Sequence, residues 1–340
     1  MTRSFHHWEK NVTLNRDYFV RCAVERSLSY YRHYFSGVLS NEQAYSLLKP
    51  RIIRIGTYMT HYLLFVHGIG RQQPGFSNGL MDRLNAAYRT NVAKTSRLDF
   101  DPLISEEAYW DDITQVDQEP LRVQLCYEGL SQYWPSNLVR RYVLDYITDE
   151  ISYLKHAYAP RKYKAITGRV DAAVKRLNEL AKSAGDTPGS LTVIAHSLGS
   201  LIASDVLYDM MHEGRFPENL VFENFLTMGS PMALHALRLG VDEFDRPVRP
   251  KRWINFMYPQ DFMSYPLRAI NKAYEKAVEE DVMLRVKRAA FGNHPVLIKL
   301  ASALPFIGSL VVHTLYDKDR YLIDTVAGVL AGTYVGCRNS

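Results

Sequence analysis

Leu191-Thr-Val-Ile-Ala-His-Ser-Leu-Gly-Ser-Leu-Ile-Ala203 decides how the rest of this chain reads. Leu191–Ala195 is apolar without alternation, the composition of a strand buried on both faces. An apolar-periodic segment, Leu198–His212, follows at once, so strand passes into helix across His196 and Ser197. So sharp a turn leaves little room for side chains beside it. The residues two places either side of Ser197 are Ala195 and Gly199, which is the G-x-S-x-G spacing with Ala in the first position. The turn lifts Ser197 Oγ above the sheet at the N-terminus of the helix, where free N–H groups and the helix dipole stabilise developing negative charge. A helix-capping serine is the plainer reading of such a residue. The strand before it and the helix after it favour a nucleophile.

The same alternation extends outward. Strand-like runs at Thr60–Val66, Leu103–Trp110, Val221–Thr227 and Trp253–Met257 are interleaved with helical patterns near Phe76–Ala93, Ile166–Ala184 and Met232–Leu239. This rhythm predicts an α/β fold, a mostly parallel sheet covered by helices on both faces, with chemistry at the carboxyl ends of the strands. Between about 112 and 189 the pattern is mostly helical, with further helical periodicity at Asn137–Ala157, and reads as a helical cap inserted into the core. Residues 1–58 are rich in Tyr and Arg and form an N-terminal extension to a core spanning 59–340. Packing on the core and homo-oligomer contacts are both open as its role.

At 340 residues the chain suits one enlarged α/β core. A hydrophobic content of 47% against 23% charged residues excludes large-scale disorder. The net charge of +5 comes from 41 basic and 36 acidic residues with no Lys/Arg block, so no nucleic-acid partner is expected. Cys22, Cys126 and Cys337 lie far apart, without metal spacing or a disulfide framework, which fits a reducing compartment. The first residues lack the apolar stretch of a secretory signal, so a cytoplasmic location is expected. The most apolar run, 295–312, is interrupted by Lys299, Pro305 and Gly308, and Pro305 sits where it would break a spanning helix. A buried helix, a lid over an apolar site and peripheral membrane contact all remain open for it.

Phe65-Val-His-Gly-Ile-Gly70 ends the first strand-like run. A phosphate loop is excluded there: G-x-G-x-x-G fails at Gln73, and no Walker lysine follows. For acyl transfer, the backbone N–H groups of Ile69 and Leu198 are the candidate oxyanion hole, each such donor contributing about 3 kcal/mol to the transition state. His67 reads as a residue holding this loop, and His196 as pointing away from Ser197. Trp253-Ile-Asn-Phe-Met-Tyr-Pro-Gln-Asp261 is a strand and turn ending in the candidate acid, Asp261, although aspartate also serves simply as a turn residue. Only His294 and His313 follow it. His294 precedes a proline in a surface-like loop. His313 lies where an apolar run meets a polar loop before a terminal helix (about Arg320–Ala331), and is the candidate base.

These segments together resemble the α/β-hydrolase superfamily, in particular its lipase- and esterase-like branch. The matching stretches are Val66-His-Gly-Ile-Gly70, Ile194-Ala-His-Ser-Leu-Gly199, Leu226-Thr-Met-Gly-Ser-Pro231, Asp261 and His313, and they span about residues 60–335. Tyr109-Trp-Asp-Asp112 resembles a strand end of bacterial relatives with the same loop. The order Ser197, Asp261, His313 is the order of that fold. The resemblance implies hydrolysis of a carboxylic ester through an acyl-enzyme, with no metal or cofactor. The apolar 295–312 run favours a lipid or acyl-chain ester over a polar small molecule. A thioesterase, amidase or acyltransferase with the same triad, and a non-catalytic interaction protein on the same scaffold, are the alternatives.

Overall fold

In the computed structural model, which describes residues 60–94, 103–114, 153, 160–185, 188–285 and 305–334 (the side chains of 305–307 excepted), the first strand is β1, His61–Val66, with all six residues buried. Its side chains alternate between two cores. Tyr62, Leu64 and Val66 point to one and Leu63 and Phe65 to the other, as the two-residue repeat of a strand requires. Such a strand must be covered on both faces, and the following elements supply the covers.

The described elements run β1, α1 (Asn78–Val92), β2 (Leu103–Ala108), α2 (Pro160–Ala184), β3 (Gly189–His196), α3 (Leu198–His212), β4 (Leu220–Met228), α4 (Met232–Leu239), β5 (Arg252–Met257), α5 (Lys272–Ala277), β6 (Glu280–Met283), α6 (Pro305–His313), a 3-10 turn at Tyr316–Lys318 and α7 (Arg320–Leu330). The strands form one sheet in the order β2-β1-β3-β4-β5-β6, every pair parallel. Helices α2 and α3 pack together on one face, and α1 and α7 on the other. Helix α3 is heavily enclosed, with ten of its fifteen residues buried, which explains why its apolar residues extend beyond one stripe.

The order has one consequence for function. From β1 the chain passes to β2 on one side, then returns across β1 to β3 on the other. The connections on either side of the β1/β3 pair therefore leave in opposite directions. In sheets of this kind the carboxyl ends of such a strand pair are the usual ligand position. His67 and Ser197 stand at this point, directly after β1 and β3 respectively.

Several elements differ from the sequence reading. Helix α2 lies inside the stretch read as an inserted cap, yet it packs on β1, β2 and α3 and covers the sheet itself. It buries Tyr163, Ile166, Val170, Ala173, Val174, Leu177 and Ala181, a three-to-four residue repeat facing the strands. Residues 115–152 and 154–159 of that stretch, including most of the helix read at 137–157, lie outside the described residues. So do the extension 1–58, the three cysteines, His294 and residues 295–304. Pro305 opens α6, in keeping with the reading that no helix would run through it; a first-turn residue needs no N–H donor and the fixed φ of proline suits it. The six-residue α5 and four-residue β6 were not expected: both are too short and too charged for a periodic signal. Among the described residues no helix is long and apolar enough to cross a membrane.

Leu64 is fully buried at the centre of this arrangement. The variant Leu64→Ala is expected to lose about 2–5 kcal/mol of stability through the cavity it leaves. Chemical denaturation should show this as a lower midpoint with an unchanged slope.

Candidate active site

Ser197 occupies the turn between β3 and α3 with φ 52° and ψ −132°, the only positive φ of a non-glycine among the described residues. That conformation costs on the order of 1–3 kcal/mol and persists only where the surroundings over-determine it. Several contacts do so. Ser197 N–H donates to Met228 O at 2.8 Å, and Ser197 O accepts from Ser200 N–H at 2.9 Å and Ser200 Oγ at 2.6 Å. A Cβ at position 199 would stand 2.2 Å from His67 O and 2.7 Å from Val66 O, so only glycine fits there. The expectation that either small residue suits both flanking positions is thereby narrowed. Position 195 takes alanine, whose methyl joins the apolar core, and position 199 does not.

The loop after β1 closes on the same point. A Cβ at Gly68 would lie 2.4 Å from Ser197 Cβ, so the backbone of this loop touches the serine directly. Ile69 follows and packs, half-buried, on the core that also contains Leu198. Leu198 is the first residue of α3, where the helix leaves N–H groups without internal acceptors.

Residues from β2 and the segment just after it hold the loop in place, a role that sequence reading missed. Glu107 Oε2 accepts Gly75 N–H at 2.7 Å, and its Oε1 accepts Ser77 N–H at 2.7 Å and Ser77 Oγ–H at 2.6 Å. Asp111 Oδ2 accepts Gln72 N–H at 2.9 Å. His67 is locked by its two ring nitrogens. Nδ1–H donates to Gly68 O at 2.8 Å, while Nε2 accepts Trp110 N–H at 3.1 Å. The Trp110 ring stacks on it at 4.7 Å. Burial pulls the His67 pKa down to about 4, so the ring is neutral and its tautomer fixed.

The candidate acid arrives from the turn after β5 and the candidate base from the end of α6. Asp261 ends a turn in which its N–H donates to Tyr258 O at 3.0 Å with Pro259 second, the position where a proline pre-sets φ. His313 is the last residue of α6. Ser197 Oγ–H donates to His313 Nε2 at 2.8 Å, and His313 Nδ1–H donates to Asp261 Oδ2 at 2.8 Å. The carboxylate can only accept, and that fixes the proton on Nδ1 and leaves Nε2 free to receive one. All three side chains are buried. Burial alone would raise the Asp261 pKa. Hydrogen bonds and charge from His313, with further donors from Tyr316 and Met263, outweigh it and hold the carboxyl below its usual range. The structure thus brings Ser197, His313 and Asp261 into one hydrogen-bonded chain.

His196 faces away from Ser197 Oγ. Its Nε2–H donates to His313 O at 2.9 Å, and its ring lies 4.9 Å from that of His313. Loss of solvation, reinforced by the neighbouring His313, holds its pKa down to about 3. Gly229 explains the Leu226-Thr-Met-Gly-Ser-Pro231 stretch. At φ +59°, a Cβ there would meet Tyr316 Cε2 at 2.8 Å, His313 Cε1 at 3.1 Å and Asp261 Oδ2 at 3.2 Å. Among the described residues no group of three or more His, Cys, Asp or Glu side chains is arranged to hold a metal ion.

No protein-family model and no curated protein matches this chain. Among solved structures it is similar to a crystal structure of an uncharacterized protein from Pseudomonas aeruginosa. The identity is 11% and the TM-score 0.34, over 88% of this chain and 55% of that one. The chain therefore spans little more than half the length of that protein.

The two neutral histidines make stability depend on pH. Their folded pKa values lie below the ordinary 6.5, so between 6.5 and those values the unfolded chain binds protons that the folded chain refuses. Stability is full above pH 6.5 and declines as pH falls, by on the order of 3 kcal/mol from His67 alone on reaching about pH 4. Thermal melts at successive pH values should show this decline, with a shallower slope in a His67→Asn variant.

Proposed function

We propose that this chain is a serine hydrolase of the α/β-hydrolase type that cleaves carboxylic esters through an acyl-enzyme on Ser197. The observation that carries the reading is the hydrogen-bonded chain from Ser197 Oγ through His313 to Asp261, standing on a strained backbone at the carboxyl end of β3. The parallel strand order, with the serine after β3, the acid after β5 and the base after β6, supports that fold. The scattered cysteines fit a cytoplasmic enzyme.

In the proposed reaction Ser197 Oγ attacks the ester carbonyl carbon as His313 Nε2 takes its proton. The carbonyl oxygen becomes an oxyanion that receives N–H groups from Ile69 and Leu198. Asp261 keeps the imidazole in the Nδ1–H tautomer and stabilises the imidazolium without taking its proton. His313 then returns the proton to the leaving alkoxide, and an alcohol departs. Water attacks the acyl-enzyme by the same steps in reverse, releasing the acid and restoring Ser197. Strain at Ser197 keeps Oγ at the head of the helix, where the attack needs no prior rearrangement.

An acyl-chain or lipid ester is the favoured substrate class. Buried apolar residues of α6, Leu310 and Val312, lead directly into His313, and Phe262 beside Asp261 is exposed. Such surroundings suit an apolar acyl group better than a charged one.

A fluorophosphonate probe should label the folded protein at Ser197, identified by peptide mass spectrometry, and leave Ser197→Ala unlabelled. Turnover of p-nitrophenyl esters should rise from acetate to medium-chain acyl groups and exceed that of matched thioesters and anilides. His313→Ala should lose at least about 10³-fold in kcat/KM, and adding Ser197→Ala should cost little more, as for groups that act as a unit. An unlabelled Ser197 would sink this reading.

A further inference from the structure

Tyr316 lies three residues beyond His313, in the 3-10 turn, with its ring buried. Its hydroxyl is 2.8 Å from Asp261 Oδ2, the same oxygen that accepts His313 Nδ1–H. Tyr258 N–H donates to that hydroxyl at 3.1 Å, and Ser264 Oγ lies 3.2 Å away. The amide N–H can only donate, so the phenolic proton goes to one of two acceptors. The charged carboxylate at 2.8 Å is nearer and stronger than Ser264 Oγ at 3.2 Å. The ring cannot swing aside: it stands against Gly229, 4.8 Å from the Tyr258 ring and 5.6 Å from that of His196.

We propose that Tyr316 is a positioning residue for the acid–base pair, its hydroxyl holding the Asp261 carboxylate in the orientation that serves His313 and sharing its charge. The proposal rests on the reading of Ser197 as a nucleophile and deepens it. The Asp261 carboxylate has two donors on Oδ2 and one, Met263 N–H at 3.0 Å, on Oδ1. Together they fix its plane. Tyr316 remains a donor throughout the working range, because burial, together with the charge of Asp261, pushes its own pKa well above the ordinary value. Without the hydroxyl, Oδ2 keeps only His313, the buried Tyr258 N–H loses this acceptor, and the carboxylate takes up a proton more readily.

The test is the rate at which a fluorophosphonate labels Ser197 across pH, in the parent chain, Tyr316→Phe, Asp261→Asn and the double variant. Tyr316→Phe should label roughly tenfold more slowly. Its acid limb should move to higher pH, and with a p-nitrophenyl ester kcat should fall while KM holds. In the Asp261→Asn background the same change should slow labelling no further, since the hydroxyl acts through that carboxylate. An additive loss, or parent rates with the parent pH profile, would overturn the proposal while leaving the nucleophile in place. Failure of the parent to label at Ser197 overturns the hydrolase reading itself. Should Tyr316→Phe not fold, 3,5-difluorotyrosine at position 316 keeps ring and donor while strengthening the donation. It should move the acid limb to lower pH, and an unmoved limb counts against the proposal.

Discussion

Ser197 is held at φ 52° by its neighbours, and most of what surrounds it can be traced to that constraint. An L-residue reaches this conformation at a cost on the order of 1–3 kcal/mol. The compensation comes from the close approach of β1 and β3. Gly199 lets α3 begin against the carbonyls of Val66 and His67, and Gly68 lets the loop after β1 press on the serine itself. Both contacts need backbone without side chain. They in turn need β1 and β3 adjacent and parallel in this register, which is what the burial of both strands in two apolar cores provides.

The loop after β1 is short of apolar anchors of its own, and polar contacts supply the rest. Glu107 and Asp111 take backbone N–H groups from Gln72, Gly75 and Ser77, while His67 bridges the loop to Trp110. Around the candidate acid and base the logic is similar. Asp261, in the turn after β5, and His313, at the end of α6, are 52 residues apart in sequence, and each is fixed by more than the other. Met263 and Tyr316 hold the carboxylate, and His196 holds the backbone of His313. Buried polar networks rigidify a site when every member has a partner, and here each ring nitrogen and carboxylate oxygen of the central chain has one.

The sequence made the α/β alternation legible because β1, β3 and β5 are largely apolar runs of strand length and α3 is rich in apolar residues. Ser197, Asp261 and His313 were legible because each follows a strand or an apolar run at a turn, in an order that constrained the choice. Ala195 and Gly199 looked equivalent, since only three-dimensional contact reveals that position 199 faces two carbonyl oxygens. Tyr316 and Glu107 left no mark: one is a tyrosine among 23 and the other an acid in a half-buried edge strand, and their roles exist only across long sequence separations. The place of α2 was misread for a related reason. Its amphipathic repeat states that one face is covered, and says nothing about which layer covers it.

The account turns on a covalent bond between Ser197 and the acyl group of an ester, so the most direct measurement is to trap it. The protein would be mixed with a slowly deacylating p-nitrophenyl ester, quenched in acid within the burst, and digested for mass spectrometry. The account predicts the acyl mass on the peptide that carries Ser197, appearing in step with released nitrophenol and absent from His313→Ala on the same timescale. Nitrophenol release with no adduct on that peptide, or with an adduct on another residue, would contradict it.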